Sequence, residues 1–426
     1  MSNKIQAIRG MNDLLPDQSP AWQYVERQLR SLVDRYDYRE IRTPIVEQTA
    51  LFARSIGEAT DVVEKEMYTF DDRGGDSITL RPEGTAPVCR AYLEHGMQNL
   101  PQPVRMYYFC PVFRYERPQA GRFRQHHQFG MEVLGDADPS VDAEVIEVAW
   151  DLMTSLGLTD INLLVNSVGD PQCRPAYVAK LREYYSDRKD KLCNDCKDRL
   201  NRNPLRLLDC KVETDYALGN DAPRSADNLC GECNEHWNKL LKYLDAMQLP
   251  YQIDHRMVRG LDYYTRTVFE IQPPEEGSQN TIVGGGRYDG LIEQLGGKST
   301  PGVGFGSGFE RIIMNLIRQE IEVPDITPRP TVIVHRGVNA LGLAVKLAQE
   351  LRDSGITTVL APAQRSLRAQ MRYASSMNAR FALILGDDEL ANGTASVRDM
   401  DATKVCWTPA VQRAPKCHRT PRALPH

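Results

Sequence analysis

FRYERPQAGRFRQHHQFGME, residues 113–132, is the stretch on which the reading of this chain turns. Two β-prone runs, Val104 to Arg114 and Gln128 to Leu134, flank a basic loop with Gly121 at its turn. That pattern predicts an antiparallel pair with Arg114 and Glu132 on neighbouring strands. Between residues 105 and 124, Arg105, Arg114, Arg117, Arg122 and Arg124 face a single acid, Glu116. The net charge of -5 provides no global field for a polyanion, so any such contact must rest on a local patch like this one.

Outward from this stretch, further strand-like runs appear at Glu40 to Val46, Ser77 to Leu80, Thr267 to Ile271 and Gly302 to Phe305, mostly without crossover helices between them. They predict an α+β fold with a largely antiparallel sheet flanked by helices. Pro44 inside the first run points to an edge or an interface, because proline cannot donate to a ladder. Before it, Trp22, Val25, Leu29, Leu32, Val33 and Tyr36 recur at helical spacing, with Ser19 as cap and Pro20 in the first turn.

At 426 residues the chain divides into more than one domain by its length. Charged helical segments and six cysteines mark an inserted subdomain at 170–245, leaving 1–169 and 246–322 as the core. A Pro-rich linker, VPDITPRP at 323–330, leads to alternating strands and helices over 331–405, a small α/β domain. Residues 406–426 contain four prolines and no acid; they read as a flexible tail or as an altered terminus in place of a final helix.

The apolar fraction of 41% and charged fraction of 26% exclude disorder as the main theme. No run of 18 apolar residues occurs and the N-terminus lacks the apolar core of a secretory signal, so a cytoplasmic location without membrane contact is expected. In that setting ten cysteines suggest thiols or metal ligands. Cys193-x-x-Cys196 and Cys230-x-x-Cys233 form two knuckles with the spacing of a thiolate zinc site, with Cys210 as an alternative ligand and free thiols as the competing reading.

The glycine clusters fail as phosphate loops. GGKST at 296–300 has Ile292 where a P-loop needs its first glycine, and GVGFGSG at 302–308 has Ser307 and Phe309 where a dinucleotide loop needs its third. A strand with glycine at alternate positions instead exposes one flat face, open to a planar ring or to close approach of another group.

Together the motifs resemble those of class II aminoacyl-tRNA synthetases, and specifically of the histidyl-tRNA synthetase family. The class motifs stand as Pro44 in REIRTPIVE, Arg114 in FRYER and Arg311 in GFGSGFERI; the histidine-specific ones as RGLDYY at 259–264, GGGRYDG at 284–290 and TLRPEGT at 79–85. The resemblance spans roughly residues 1–400.

It implies formation of histidyl-adenylate from L-histidine and ATP with Mg²⁺, then transfer of histidine to tRNA(His), by a homodimer joined around Pro44. Arg114, Arg311 and Arg259 are implied as the catalytic arginines at the phosphates, since fixed cations stabilise the charge that builds there. Arg122, His126, Gly304 and Gly306 would complete the ATP site. Glu83, Thr85 and Gln128 would hold the histidine ammonium, Glu132 and Tyr264 its ring, with Tyr263 beside them. Because neighbours on a strand face opposite sides, only one of the two tyrosines is expected to touch ligand directly, and Tyr264 is taken as that one. Arg117, Gln119 and Arg124 would meet the tRNA acceptor end. His126 departs from the family, which usually carries phenylalanine there against adenine. The alternative is a silent, histidine-binding regulatory paralogue of histidine biosynthesis; such paralogues lose the C-terminal domain and parts of these motifs, both present here.

Overall fold

The computed structural model describes residues 4–57, 60, 62–119, 121–274, 281–402 and 405–409. The chain forms two compact units, Met1–Asp325 and Ile326–His426.

In chain order the strands of the first unit are β1 (Arg39–Glu40), β2 (Val46–Gln48), β3 (Tyr68–Asp71), β4 (Ser77–Leu80), β5 (Val104–Phe113), β6 (Gln125–Leu134), β7 (Asn162–Ser167), β8 (Tyr251–Ile253), β9 (Thr265–Gln272), β10 (Val283–Arg287) and β11 (Gly302–Gly308). Eight of them form one sheet in the order β1-β5-β6-β11-β10-β9-β7-β8. The pairs from β5 to β7 are antiparallel; only the outer pairs β1–β5 and β7–β8 are parallel. The expected β-hairpin is therefore the long β5–β6 pair, with Arg114 and Arg124 joined by a backbone hydrogen bond of 2.9 Å just beyond it.

The expected strand from Glu40 to Val46 is instead two short strands in different sheets: β1 joins β5, and β2 joins a three-stranded sheet with β4 and β3. Pro44 supplies the reason, since it has no N–H for a ladder and restricts Thr43 before it. The break is held by the buried Arg81 guanidinium, which donates to the carbonyls of Thr43 (2.8 Å), Pro44 (3.1 Å) and Pro111 (2.8 Å).

One face of the large sheet packs on helices. The helix Ser19–Arg35 buries Val25, Leu29, Leu32 and Val33, the stripe seen in its sequence. Ser19 does not cap it; the residue lies inside the first turn and donates its hydroxyl to the Leu15 carbonyl. The helix Pro139–Ser155 is capped by Asp138, whose carboxylate accepts from Ser140 N at 2.9 Å. Both meet β6, β9 and β11 in one apolar core.

The segment 170–245 divides physically. Tyr177, Leu181, Tyr185, Leu200, Leu207 and Cys210 form a small core of their own, whereas the helix Gly231–Ala246 contributes Trp237, Leu240 and Leu244 to the main core. The last helix of the expected insertion thus packs as part of the sheet layer.

The second unit has strands β12 (Thr331–His335), β13 (Thr358–Leu360), β14 (Phe381–Leu385), β15 (Thr394–Asp399) and β16 (Val405–Pro409), in the order β13-β12-β14-β15-β16. The first three are parallel, as strand–helix alternation predicts, with helices Val338–Asp353 and Leu367–Ser376 burying alanine-rich faces on opposite sides. β16 pairs antiparallel with β15, so residues 406–409 belong to the sheet and not to a tail. The rest of the expected tail lies outside the described residues.

Candidate functional site

Cross-strand register builds the site. Tyr108 on β5, Gly130 on β6, Gly306 on β11, Gly284 on β10 and Glu270 on β9 lie in one row across five strands. One row along, Met106, Glu132, Gly304, Gly286 and Val268 face the same way. On β6 the period of two puts His126, Gln128, Gly130 and Glu132 on this face and Phe129, Met131 and Val133 in the core behind it.

The glycines make room for large polar side chains lying flat on the sheet. A Cβ on Gly304 would stand 2.0 Å from Glu132 Oε2, on Gly306 2.0 Å from Gln128 Nε2, on Gly284 2.1 Å from Arg259 Nη2 and on Gly130 2.2 Å from Tyr108 Cζ. The open glycine face expected for a planar ring is therefore largely occupied by the chain's own side chains. Gly304 is buried beneath Glu132, whereas Gly306 lines a cavity with Gln128 beside it.

Two adjoining compartments result. The first is a buried, carboxylate-rich cluster of side chains. Glu83 is 2% exposed and its carboxylate accepts from Thr85 N (2.6 Å) and Ala86 N (2.8 Å), at the start of the helix Thr85–Glu94. Glu132 is fully buried and accepts hydroxyls from Thr85 (2.8 Å), Tyr108 (3.0 Å) and Tyr288. Burial pushes its carboxyl up to about 8, against which the three hydroxyls work. Glu83 is raised by the same desolvation.

Tyr263 and Tyr264 close this compartment. They precede β9 and do not alternate across the sheet; their rings lie 4.7 Å apart, both buried, and Tyr263 sits 5.8 Å from Tyr288. Alternation therefore gives no ground for choosing one over the other. The Arg174 guanidinium donates to the carbonyls of Tyr264 and Gly169, tying the RGLDYY segment to the start of the helix Arg174–Ser186.

The second compartment is a cavity of about 270 Å³ lined by Arg114, Arg122, Arg259 and Arg311, with Glu116, Glu310, His126, Gln128, Gly306 and Gly308. Arg259 pairs with Glu270 and lies across Gly284. Arg311 donates to Thr281 O at 2.6 Å, Arg114 to Pro82 O at 2.8 Å, and Arg122 pairs with Glu116 at 3.0 Å. His126 is held neutral: burial first, then Arg114 and Arg311, depress its pKa to about 3. Gln128 lies between the compartments, accepting from Gly84 N at 3.2 Å.

At the rim, Arg117 and Gln119 are exposed, and Arg124 is partly buried with its guanidinium 3.9 Å from the Tyr115 ring. The sequence reading assigned no role to Tyr108, Tyr288, Glu270, Glu116 or Glu310. Tyr288, Glu116 and Glu310 stand inside motifs already picked out, so the signal was there; Glu270 and Tyr108 had none beyond the alternation of their strands.

The zinc grouping expected from the two knuckles is not formed. Cys193 and Cys196 lie with Cys210 and Asp215, while Cys230 and Cys233 lie with Cys173 and Asp170. Cys210, the alternative ligand, does join the first knuckle; spacing failed to show that the two knuckles close on ligands from different parts of the segment.

A family model for histidyl-tRNA synthetase matches residues 10–312, and one for an anticodon binding domain matches residues 331–412. The chain belongs to the histidyl-tRNA synthetase family. It is 54% identical over 396 residues to a histidine–tRNA ligase of Dehalococcoides mccartyi, covering 93% of this chain and 94% of that one. It is 52% identical to a histidine–tRNA ligase of Desulforamulus reducens, at 92% and 94% coverage. Among solved structures, apo histidyl-tRNA synthetase of S. aureus matches with a TM-score of 0.80 at 40% identity, over 95% of this chain and 97% of that one. A Bacillus halodurans protein described as an ATP phosphoribosyltransferase regulatory subunit/histidyl-tRNA synthetase matches with a TM-score of 0.65 at 21% identity, over 90% and 98% of the two chains, a likeness of fold alone. No helix among the described residues is long and apolar enough to cross a membrane.

Proposed function

We propose that this chain is a histidine–tRNA ligase whose two compartments hold L-histidine and ATP side by side. The observation that carries this reading is their adjacency: two buried carboxylates, Glu83 and Glu132, stand beside a cavity lined by four arginines, with Gln128 reaching both. The regulatory paralogue is not favoured, because the anticodon-binding unit and the full set of arginines are present.

In this reading Glu83, Thr85 and Gln128 take the histidine ammonium and Glu132, flanked by Tyr263 and Tyr264, takes a ring N–H. A site that satisfies both ring nitrogens rejects apolar isosteres, whose binding would leave its buried groups unpaired. The histidine carboxylate is left pointing at the arginine cavity. One of its oxygens attacks the α-phosphorus of ATP, the bond to the bridging oxygen breaks, and pyrophosphate leaves. Arg259, Arg114 and Arg311 are already held by Glu270, Pro82 O, Thr281 O and Gly121 O, so they stabilise the charge on the transferring phosphoryl group without first reorganising. A Mg²⁺ ion suits the cavity, whose carboxylates Glu116 and Glu310 offer the oxygen donors it prefers; it would neutralise the outer phosphates. His126, neutral and facing the cavity, offers a ring face to adenine.

The terminal ribose hydroxyl of tRNA(His) then attacks the carbonyl carbon and AMP leaves. Arg117, Gln119 and Arg124 at the rim support contact with the acceptor end, and the second unit supports contact with the anticodon. A homodimer through the Pro44 segment is supported by the exposed Ile45 and Val46 beside it. A cytoplasmic location fits this work. Charging of tRNA(His) transcript with labelled histidine tests the whole reading, and failure to charge with adenylate still formed would confine it to the first step.

A further inference from the structure

We infer that the segment between β7 and β8 binds two zinc ions, each in a site of three cysteines and one aspartate, rather than one ion shared by its two Cys-x-x-Cys knuckles. The first set is Cys193, Cys196, Cys210 and Asp215; the second is Asp170, Cys173, Cys230 and Cys233. The sets share no residue, and within each the donor atoms all lie within 4.8 Å of one another.

The geometry is that of a tetrahedral ligand shell. Four donors about 2.3 Å from a zinc ion stand roughly 3.8 Å apart along the tetrahedron's edges. In the first set Cys193 Sγ lies 3.9 Å from Cys210 Sγ, and Cys210 Sγ lies 3.4 Å from Asp215 Oδ2. In the second, Asp170 Oδ1 lies 3.4 Å from Cys173 Sγ and both its oxygens lie 3.9 Å from Cys230 Sγ. The sulfurs belong to free cysteines.

The two sets are built alike. Cys193 and Cys230 each occupy the N-cap of a helix, so that the second cysteine of each knuckle falls in the first turn and faces back towards the first. Cys173 stands at the N-cap position of a third helix. Backbone amides point at the sulfurs: Cys196 N donates to Cys193 Sγ and Asp170 N to Cys173 Sγ, each at 3.4 Å, which fixes the direction in which each sulfur faces. The aspartates are aimed by amides as well, Asp215 by Cys193 N at 3.1 Å and Asp170 by Gln172 N at 3.0 Å. Three thiolates with one carboxylate select zinc over magnesium or calcium, which take oxygen shells. Each thiol releases its proton on binding.

The second site has a consequence for the active centre. Asp170 and Cys173 follow β7, and Cys230 and Cys233 begin the helix Gly231–Ala246, so this ion would staple the segment where it leaves and rejoins the core. Arg174, next to Cys173, holds the Tyr264 carbonyl, and Arg266 Nη2 stands 3.8 Å from Asp170 Oδ2.

Metal content per chain tests this on the full-length protein, equilibrated with zinc and desalted. Two zinc ions per chain are expected, falling to one in Cys196→Ser, to one in Cys233→Ser and to none in the double variant. One ion per chain abolished by either substitution would establish a shared site and overturn the pair. No retained zinc would overturn metal binding altogether. Should the serine variants not fold, cobalt substitution of the unaltered protein decides the matter. Two cobalt ions per chain, with tetrahedral d–d bands and charge-transfer intensity for three thiolates per ion, support the assignment; one ion with the intensity of four thiolates refutes it.

Discussion

Glu132→Gln separates what this carboxylate does for substrate from what it costs the fold. The wild-type group is fully buried with three hydroxyl donors, and its pKa stands at about 8 against an ordinary 4.5. An acid whose folded pKa is raised weakens the fold as pH rises through the interval between the two values, because only the unfolded state can ionise freely there. Stability should therefore fall between about pH 4.5 and 8 in the wild type and stay flatter in the variant, whose melting temperature should be the higher one at pH 8. Glutamine keeps the shape and accepts from some of the hydroxyls but cannot take the charge that the carboxylate carries above its pKa of about 8. Hydrogen bonds to charged groups contribute about 1.5–3 kcal/mol, so above pH 8 kcat/KM for histidine should drop roughly 10- to 150-fold, with the KM for ATP little changed. Pyrophosphate exchange at varied histidine, with thermal unfolding at pH 5 and pH 8, measures both arms. A variant with wild-type kcat/KM for histidine would refute the assignment of Glu132 to the ring.

Three further outcomes follow from the geometry. In Gly306→Ala the atoms nearest the new Cβ all belong to the flexible Gln128 side chain, so KM for histidine should rise with little change in melting temperature; in Gly304→Ala it also stands 2.2 Å from the Met131 carbonyl, so thermal unfolding should show a large loss of stability. His126→Phe should bind ATP at least as tightly, since the native ring is already neutral; weaker binding by calorimetry would contradict this. Asp142→Ala leaves the fully buried Arg287 without the carboxylate that accepts from its Nε and Nη2, and should cost about 3–5 kcal/mol in denaturant unfolding.

The antiparallel sheet was legible because β5 and β6 are long and flank a glycine turn, and the second unit because its strands and helices alternate. The arginine cavity was legible through the motifs that carry Arg114, Arg259 and Arg311. Register was not: nothing in GVGFGSG tells that Gly304 lies under Glu132 while Gly306 lies under Gln128 and faces the cavity. The split at Pro44 was half legible, since proline announced a ladder defect but not the change of sheet. Among the cysteine partners Cys210 was legible as an alternative ligand, but Asp170 and Asp215 carry no spacing signal, and Cys173 joins a knuckle far along the chain only through the fold. Strand alternation does not apply to Tyr263 and Tyr264, because they precede the strand.

The central claim, that one site joins a histidine pocket to an ATP cavity, is tested most directly by histidine-dependent exchange of labelled pyrophosphate into ATP without tRNA, with the other amino acids as controls. Exchange with histidine alone is the predicted result. Folded protein that binds histidine but exchanges no pyrophosphate would contradict the account and return the chain to the regulatory reading.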